Sequence, residues 1–346
     1  MAIEGPLTIA RYMTEALTHP RLGYYARAQP IGAGGDFVTS PEISQMFGEL
    51  IGLWCADRWQ AMGQPSPFAL VELGPGRGTL LADALRAGRL VPGFVEAARL
   101  HLVEVNPALR ALQREKLPAA EWHAHVSELP DAATILLANE YFDALPIRQF
   151  QKTDSGWHER LVDHEPETDR LRLVLAPTPA SRLVPEVLAQ APLHSVHEIA
   201  APAIAQLRLI AERLAAFGGA ALVVDYGYVG PATGETLQAV RRHAFADVLD
   251  RPGESDLSAH VDFDALRRAA DEAGAEVHGP VGQGEFLRRL GIDARADGLA
   301  RNAAPDGAAA IRSQHRRLTA ESAMGSLFKA MAIQRKGLSM PAGFSA

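Results

Sequence analysis

Apolar and polar positions divide the chain into stretches of different periodicity. Two early segments, Ile9–Thr18 and 44–62, carry apolar residues at the spacing of one helix face. Residues 67–146 instead alternate short apolar runs with helix-like segments, a pattern typical of a parallel, doubly wound α/β sheet. The apolar runs predict strands near 68–73, 99–105, 120–124 and 134–139.

The pattern changes after residue 146. Polar and apolar residues alternate on both sides of a turn at 154–156, which predicts an antiparallel β-meander inserted at about 147–200. A predicted helix over Ala201–Phe217 then leads to a buried strand that ends at Asp225. The remaining predicted elements are two further strands of the sheet, 243–248 and 329–334, and two helices, 262–273 and 308–322.

The composition is that of a globular protein with a sizeable core. The 346 residues are 47% hydrophobic and 22% charged, with a formal net charge of −7. This balance argues against the basic surface of a nucleic-acid-binding protein, and no apolar run reaches the roughly 20 residues of a membrane span. The first residues carry no targeting signal and Cys55 has no disulfide partner, so we expect a cytoplasmic protein. The histidines show no metal-ligand spacing, which predicts no metal site.

A glycine-rich turn follows the first strand of the sheet. Glu72 precedes three glycines at alternate positions, Gly74, Gly76 and Gly78, and a helix-like segment begins directly after them. Glycines allow a sharp turn and the close approach of a ligand where a Cβ would clash. The spacing differs from the GxGxxG of nicotinamide cofactor sites, and an acid beside the turn would repel a pyrophosphate. The same acid would attract the ammonium group of S-adenosylmethionine, which is therefore the predicted cofactor.

A second acid ends the next apolar run. Glu104 stands at the end of the second strand, opposite the glycine turn, where a carboxylate can accept hydrogen bonds from ribose hydroxyls. Alone, Glu104 would be read as an ordinary solvent-exposed strand end. Together with Glu72 and the glycines it favours a ribose contact, and we add Thr39, Val105 and Asn139 to the predicted cofactor contacts.

The loop before Thr39 is a candidate lid. It contains two glycines followed by Asp36 and Phe37. We expect Phe37 to cover the sulfonium and exclude water, and Asp36 to meet the positive charge. A plain glycine-rich connector is the alternative interpretation.

Acids that follow the fourth strand are candidates for the chemistry. Glu140 and Asp143 come after the strand that should adjoin the glycine-bearing one, so they should face the transferable methyl group. Methyl transfer needs a nucleophile held in line, and a carboxylate binds and orients a guanidinium in bidentate fashion. We therefore predict catalytic roles for Glu140, Asp143 and Asp225, with Glu140 as the guanidinium ligand. We expect Asp225 or Tyr226 to line the opposite wall of the substrate site. Helix capping explains Asp143 equally well.

These motifs resemble those of the MidA family of S-adenosylmethionine-dependent methyltransferases, whose mitochondrial members are arginine-methylating assembly factors of respiratory complex I. The resemblance covers most of the chain and is carried by 35–44, 72–78, 103–104, 139–146, 224–227, 256–263 and 324–329. It implies a class I methyltransferase fold, with an N-terminal helical cap and lid loop over 1–66 and a core with the meander insertion and a C-terminal helical extension over 67–346. It also implies a protein substrate that carries an arginine, notably a core subunit of complex I. The missing transit peptide points to a bacterial member.

Other functions remain open from the sequence. The same chemistry could act on a small molecule or on another side chain. An assembly factor could bind the cofactor and yet work mainly by holding a partner. A nicotinamide-dependent dehydrogenase is disfavoured by Glu72 and by the glycine spacing.

Overall fold

The computed structural model describes residues 5–26 and 39–344. The helices in these ranges are α1 (Ile9–Thr18), α2 (Ser40–Ile43), α3 (Gln45–Ala61), α4 (Thr79–Gly88), α5 (Phe94–Ala97), α6 (Pro107–Lys116), α7 (Ala201–Phe217), α8 (Phe263–Glu272), α9 (Gln283–Arg289), α10 (Ile292–Arg301) and α11 (Pro305–Thr319). The strands are β1 (Leu7–Thr8), β2 (Phe68–Leu73), β3 (Ala98–Val103), β4 (Glu121–His123), β5 (Thr134–Asn139), β6 (Arg148–Thr153), β7 (Gly156–Glu165), β8 (Arg170–Leu175), β9 (Val196–Ile199), β10 (Gly219–Tyr228), β11 (Gln238–Arg241), β12 (Ala244–Ala246), β13 (Asp256–Ser258), β14 (Val261–Asp262), β15 (Glu276–Gly282) and β16 (Phe328–Gln334).

The central sheet has the order β4-β3-β2-β5-β10-β16-β15, and β14 pairs with the end of β10. The strands from β4 to β10 are mutually parallel, whereas β16 is antiparallel to both of its neighbours. The predicted doubly wound sheet is therefore confirmed, with its first four strands within about two residues of their expected positions. Parallel pairing brings the carboxyl ends of β2, β3, β5 and β10 together at one edge, where ligands bind in such sheets.

Helices cover both faces of this sheet. Helices α3, α4, α9, α10 and α11 contribute to one buried apolar cluster, and α7 and α8 contribute to the cluster on the opposite face. Two glycines let α3 and α4 touch. A Cβ added at Gly52 would lie 2.3 Å from the backbone oxygen of Ala84, and one added at Gly48 would lie 2.6 Å from Cβ of Asp83. Among the described residues, no helix is both long and apolar enough to cross a bilayer.

The meander forms a second sheet. Its strands follow the order β1-β7-β6-β9, and β8 also pairs with β7. Helix α1 packs here, with Ile9 and Met13 buried in one cluster with Ile147 and Val162. The stretch assigned to an N-terminal cap thus contributes to two layers, because α1 packs with the meander and α3 packs on the central sheet.

One predicted strand of the central sheet is wrong. The 243–248 segment supplies β12, which pairs with β11 in a separate three-stranded sheet completed by β13. The edge of the central sheet is formed instead by β15, which the sequence pattern did not reveal. In β15 the Gly279-Pro280 pair interrupts the apolar alternation, and its pairing with β16 contains an irregularity there.

A buried arginine joins α3 to the segment that follows β16. Arg58 is 1% exposed, and its guanidinium donates to Gln334 Oε1 at 3.1 Å and to the backbone oxygens of Ser339 and Met340 at 2.6 and 3.2 Å. It also forms an ion pair with Asp57 at 2.5 Å. The last strand of the sheet and the loop beyond it are therefore anchored on a helix from the first quarter of the chain.

The close contact between α3 and α4 predicts that a Gly→Ala substitution inside it lowers the free energy of unfolding, whereas one at an open helical position raises it. Gly52→Ala places a methyl group against backbone and should lower the free energy of unfolding by about 1–3 kcal/mol. Gly298→Ala, in α10, meets no atom nearer than Arg301 Nη2 at 3.8 Å, so the better helix propensity of alanine should stabilise the protein by up to about 1 kcal/mol. Urea denaturation of the two variants measures both effects, and equal stabilisation by both would contradict the tight contact.

Candidate functional site

The glycine turn adopts backbone conformations that favour glycine. Gly74, Gly76 and Gly78 have φ angles of +56°, +51° and +72°. A Cβ at Gly74 would also lie 2.9 Å from Cδ2 of Tyr141. The turn therefore carries the backbone from the end of β2 to the start of α4 in a path that side chains would obstruct.

Three cavities open at this edge of the sheet, and Glu140 borders all of them. The turn cavity, about 50 Å³, lies between the glycine turn and Thr39 at the start of α2. The Glu104 cavity, about 330 Å³, lies beyond the turn over the end of β3. The Tyr226 cavity, about 370 Å³, lies over the end of β10. Glu140 is therefore the side chain at which the three spaces meet.

The turn cavity contains two buried oxygens that lack hydrogen bonds. Glu72 is 3% exposed, and its Oε2 atom has no partner among the described residues; nor does Oδ1 of Asn139. Burial raises the pKa of the Glu72 carboxyl to about 8. A ligand ammonium group would give both oxygens the N–H donors that they lack, and its positive charge would favour the ionised form of Glu72.

The Glu104 cavity has apolar walls and one carboxyl group at the end of β3. Oε1 of Glu104 accepts the backbone N–H of Asn106 at 2.8 Å, and Oε2 accepts only a long bond, 3.4 Å, from Gln113 among the described residues. Burial raises the pKa of this carboxyl. Val105, next along the chain, is 58% exposed and borders the same cavity. A ribose diol could donate to Oε2 while a flat base lies among the apolar side chains.

Glu140 is held in place by a residue from an earlier part of the chain. Its φ angle is +49°, unusual for a residue with a side chain, and its backbone N–H donates to the oxygen of Val224 in β10 at 2.9 Å. Oε1 accepts the backbone N–H of Ser40 at 2.8 Å and an N–H of Asn139 at 3.2 Å. Both bonds go to one oxygen, which leaves Oε2 for a ligand. Burial, and next the charge of Asp143, raise the pKa of Glu140 to about 7.

Asp225 lies beneath the site and does not border these three cavities. It is fully buried. Oδ2 accepts the backbone N–H groups of Phe142 and Asp143 at 3.0 and 3.2 Å, and Oδ1 accepts that of Tyr226 at 3.0 Å. Burial raises its pKa well above the ordinary value, with further contributions from Asp143 and Glu140. The catalytic role expected for Asp225 is therefore replaced by a positioning role, because its oxygens hold the loop that carries Glu140.

Asp143 is buried between this loop and β10. Burial raises its pKa to about 6, and the hydroxyl of Tyr226 lies beside its carboxyl. It contributes negative charge behind Glu140 without bordering any of the three cavities. The helix-capping alternative fails for a structural reason, since no helix begins between β5 and β6.

Aromatic rings form one wall of the Tyr226 cavity. The ring of Tyr226 contacts that of His260 edge-on at 5.4 Å and that of Phe328 at 5.3 Å. Arg317 from α11 and the half-exposed Leu327 also border the space. Sequence reasoning offered Tyr226 for the wall opposite Glu140 but missed the rest of this cavity, although His260 and Phe328 both lie in segments that carry the family resemblance.

The structure brings most of the predicted site residues together. The turn cavity is bordered by Thr39, Glu72, Gly74, Gly76 and Asn139, whereas Gly78 lies behind the turn as the residue before α4. Glu104 and Val105 border the second cavity. Asp36 and Phe37, with the rest of the predicted lid, lie outside the described residues.

S-adenosylmethionine fits this arrangement. Its ammonium group matches the unpaired oxygens of Glu72 and Asn139, its ribose matches Oε2 of Glu104, and the glycine turn leaves room between them. Both cavities border Glu140, so the sulfonium that joins the two ends of the cofactor would lie near its carboxyl.

Comparison with known proteins agrees with this geometry. A family model described as S-adenosyl-L-methionine-dependent methyltransferase matches residues 50–281. The chain is 40% identical to the mitochondrial protein arginine methyltransferase NDUFAF7 of Danio rerio, over 95% of this chain and 83% of that protein. It is also 40% identical to the same-named human protein, over 84% of this chain and 71% of that one.

A solved structure extends the likeness to the fold. A Burkholderia thailandensis protein, crystallised bound to S-adenosyl-homocysteine, is similar with a TM-score of 0.84 and 28% identity, over 99% of this chain and 91% of that one. The match over nearly the whole chain confirms the class I methyltransferase fold that the sequence predicted.

The Glu104 cavity predicts a loss of cofactor affinity on substitution of its carboxyl. Glu104→Ala removes the acceptor for the ribose hydroxyls, and because a charge-assisted hydrogen bond contributes about 1.5–3 kcal/mol, affinity should fall at least tenfold. Calorimetric titration with S-adenosyl-homocysteine measures the change. Glu115→Ala, an exposed position on the adjoining α6, is the matched control and should bind as the wild type does. Unchanged affinity in a folded Glu104→Ala variant would exclude the ribose contact.

The turn cavity predicts proton release on binding. At pH 7 the ligand-free Glu72, with its pKa near 8, is mostly protonated, and a bound ammonium group lowers that pKa, so a proton should leave. Calorimetry with S-adenosyl-homocysteine in buffers of different ionisation enthalpy measures this release. Glu72→Gln should release fewer protons, and exposed Glu167→Gln should release as many as the wild type. Equal release in all three proteins would place the ammonium elsewhere.

Proposed function

The chain belongs to the family of S-adenosylmethionine-dependent methyltransferases, and from that membership we propose that it methylates an arginine side chain of a protein substrate. The observation that carries the proposal is the position of Glu140. Its carboxyl borders both cavities assigned to the cofactor and also the separate Tyr226 cavity, through which a second substrate can reach the methyl group. The NDUFAF7 proteins of Danio rerio and human support arginine as the target, since both are named as protein arginine methyltransferases.

A guanidinium matches the groups that line the Tyr226 cavity. A guanidinium is planar and permanently charged near neutral pH, and a carboxylate oxygen accepts its N–H groups in charge-assisted hydrogen bonds. Oε2 of Glu140 is the oxygen that Ser40 and Asn139 leave for such a bond. Glu140 supplies that carboxylate, and the charge of Asp143 behind it adds to the attraction. The rings of Tyr226 and Phe328, packed edge-to-face beside the cavity, can shield a guanidinium from water. The carboxylates would favour an arginine over a neutral nucleophile, against the like charge of Arg317 at the same cavity.

The residues of the site divide the work of methyl transfer. Bound S-adenosylmethionine supplies an electrophilic methyl group and leaves as a neutral sulfide. Glu140 holds the guanidinium and aims one nitrogen along the line of displacement. The nitrogen that gains the methyl group loses a proton, and Glu140, with a pKa near 7, can pass that proton to solvent. Asp225 keeps the Glu140 loop in place through its two hydrogen bonds from the backbone N–H groups of Phe142 and Asp143.

The finer parts of the proposal rest on the family resemblance. We propose a subunit of respiratory complex I as the substrate protein, because the MidA family includes arginine-methylating assembly factors of that complex. We also propose a cytoplasmic location, which the single cysteine, Cys55, supports because it has no disulfide partner within the chain.

The Glu140→Gln variant tests the proposed role. Glutamine keeps the shape and removes the charge, so S-adenosylmethionine affinity should stay nearly unchanged while methyl transfer falls by about 10²-fold or more, as when a transition-state contact is lost. The assay incubates the purified protein with isotope-labelled cofactor and an extract of cells that lack the enzyme, and mass spectrometry identifies the product. Glu167→Gln is the control for loss of an exposed carboxylate.

Different outcomes separate the alternatives. Wild-type transfer by Glu140→Gln would exclude Glu140 as the guanidinium ligand. Label on a small molecule, or on a side chain other than arginine, would overturn the arginine proposal. Cofactor binding without any labelled product would favour an assembly factor that acts by holding a partner.

A further inference from the structure

Three metal-binding side chains outside the proposed site lie together on one face of β3 and β4. Nδ1 of His101 is 3.0 Å from Nε2 of His123 and 3.8 Å from Oε2 of Glu121. One ligand atom from each of the three lies within 4.8 Å of the others. The parallel register explains the grouping, because Glu121 is paired with His101 and His123 follows two positions along the same strand.

The spacing suits a single ion bound by three protein ligands. Four-coordinate zinc has bonds of about 2.0–2.2 Å to nitrogen and oxygen, which sets its ligand atoms about 3.3 Å apart. The two histidine nitrogens are already near that distance. Only the Glu121 carboxylate must approach, and its side chain is 72% exposed and free to rotate.

The cluster lies at the boundary between the protein interior and solvent. His101 is 4% exposed and places its ring nitrogen on the buried side of the cluster. His123 is half-buried and Glu121 exposed, which leaves one side of the cluster open to solvent for entry of the ion and for a water ligand. Two imidazoles with one carboxylate and an open position form a donor set that zinc accepts.

We propose that His101, Glu121 and His123 bind one divalent zinc ion, with water in the fourth position. This site is separate from methyl transfer and does not depend on the proposed function. It lies close to the cofactor, because the backbone oxygen of His123 accepts the N–H of Glu104 at 3.0 Å and an N–H of Arg110 at 3.1 Å. The ion would therefore tie the edge strand β4 to β3 next to the residue assigned to the ribose.

The sequence contains no sign of this site. Metal motifs are recognised from ligands a few residues apart, whereas His101 and His123 lie on different strands with a helix between them. Only the register of β3 against β4 brings them onto one face. The expectation of no metal site thus rested on linear spacing, which cannot detect ligands contributed by two strands.

The test uses the untagged full chain after treatment with a chelator. We expect one equivalent of Co²⁺ to give the visible absorption of a four-coordinate ion, and Zn²⁺ to displace it. Because zinc would bind the folded and not the unfolded protein, it should also raise the melting temperature. Loss of a group that only hydrogen-bonds to a metal ligand weakens metal binding by roughly 10–100-fold. His123→Gln removes a ligand itself, so it should weaken zinc binding by at least that factor.

Controls and a second variant keep the test decisive. His125→Gln changes an exposed histidine beside the cluster and should bind zinc as the wild type does. Glu121→Gln changes an exposed side chain that the fold does not need, so it should weaken zinc binding even if His123→Gln fails to fold. A wild type without Co²⁺ absorption or zinc-dependent stabilisation would overturn the proposal and leave a simple hydrogen bond between two histidines. Undiminished zinc binding in folded Glu121→Gln and His123→Gln would overturn it as well.

Discussion

Burial of carboxyl groups at one edge of a parallel sheet is the constraint on which the rest of this molecule depends. Removal from water raises the pKa of each acid that ends a strand there, because an ion loses more solvation than a neutral group. Asp225 is compensated by three backbone N–H groups, and Glu140 by one backbone and one side-chain donor. Glu72 keeps one oxygen without any donor among the described residues. The edge is therefore suited to cationic ligands, and an ammonium, a sulfonium and a guanidinium are the charges that methylation of arginine brings together.

Elements far apart in the chain meet at the central acid of this edge. Ser40, at the start of α2, donates its backbone N–H to Glu140, and its hydroxyl lies 3.4 Å from Oε1 of Gln283 at the start of α9. Gln283 in turn donates to the backbone oxygen of Leu318 in α11 at 2.9 Å. The segment before β2 and the helices between β15 and β16, here called the outer segments, thus hold the carboxyl that the sheet presents. Substitutions in the outer segments can therefore alter the substrate cavity, whereas the cofactor cavities depend on residues at the ends of the strands.

Sequence reasoning succeeded where a rule connects position in the chain with position in space. Parallel strands end at one edge, so the acids after β2, β3 and β5 could be placed at a common site before their contacts were known. This rule does not say which groups a side chain at the strand end contacts. Asp225 was therefore expected to face substrate, whereas in the structure its carboxyl accepts hydrogen bonds from the loop that carries Glu140. Segment 243–248 has a strand-like pattern, but the pattern does not show which strand it pairs with. In the structure it pairs with β11, outside the central sheet. Tyr226 could be placed at a wall of the substrate site, but the rest of its cavity could not be predicted, because His260 and Phe328 come from elements that meet only in the folded chain.

The anchoring of Arg58 has a consequence for the order of events on the ribosome. Its guanidinium is buried in α3, yet its partners Gln334, Ser339 and Met340 are synthesised more than two hundred residues later. During translation, α3 can pack only while the buried guanidinium has Asp57 as a partner but lacks these three acceptor oxygens, and N–H donors left without acceptors in an apolar environment are costly. The nascent chain would then remain loosely packed on that face until synthesis has passed residue 340. Such a delay prolongs exposure of apolar surface and makes the growing polypeptide a natural client of chaperones.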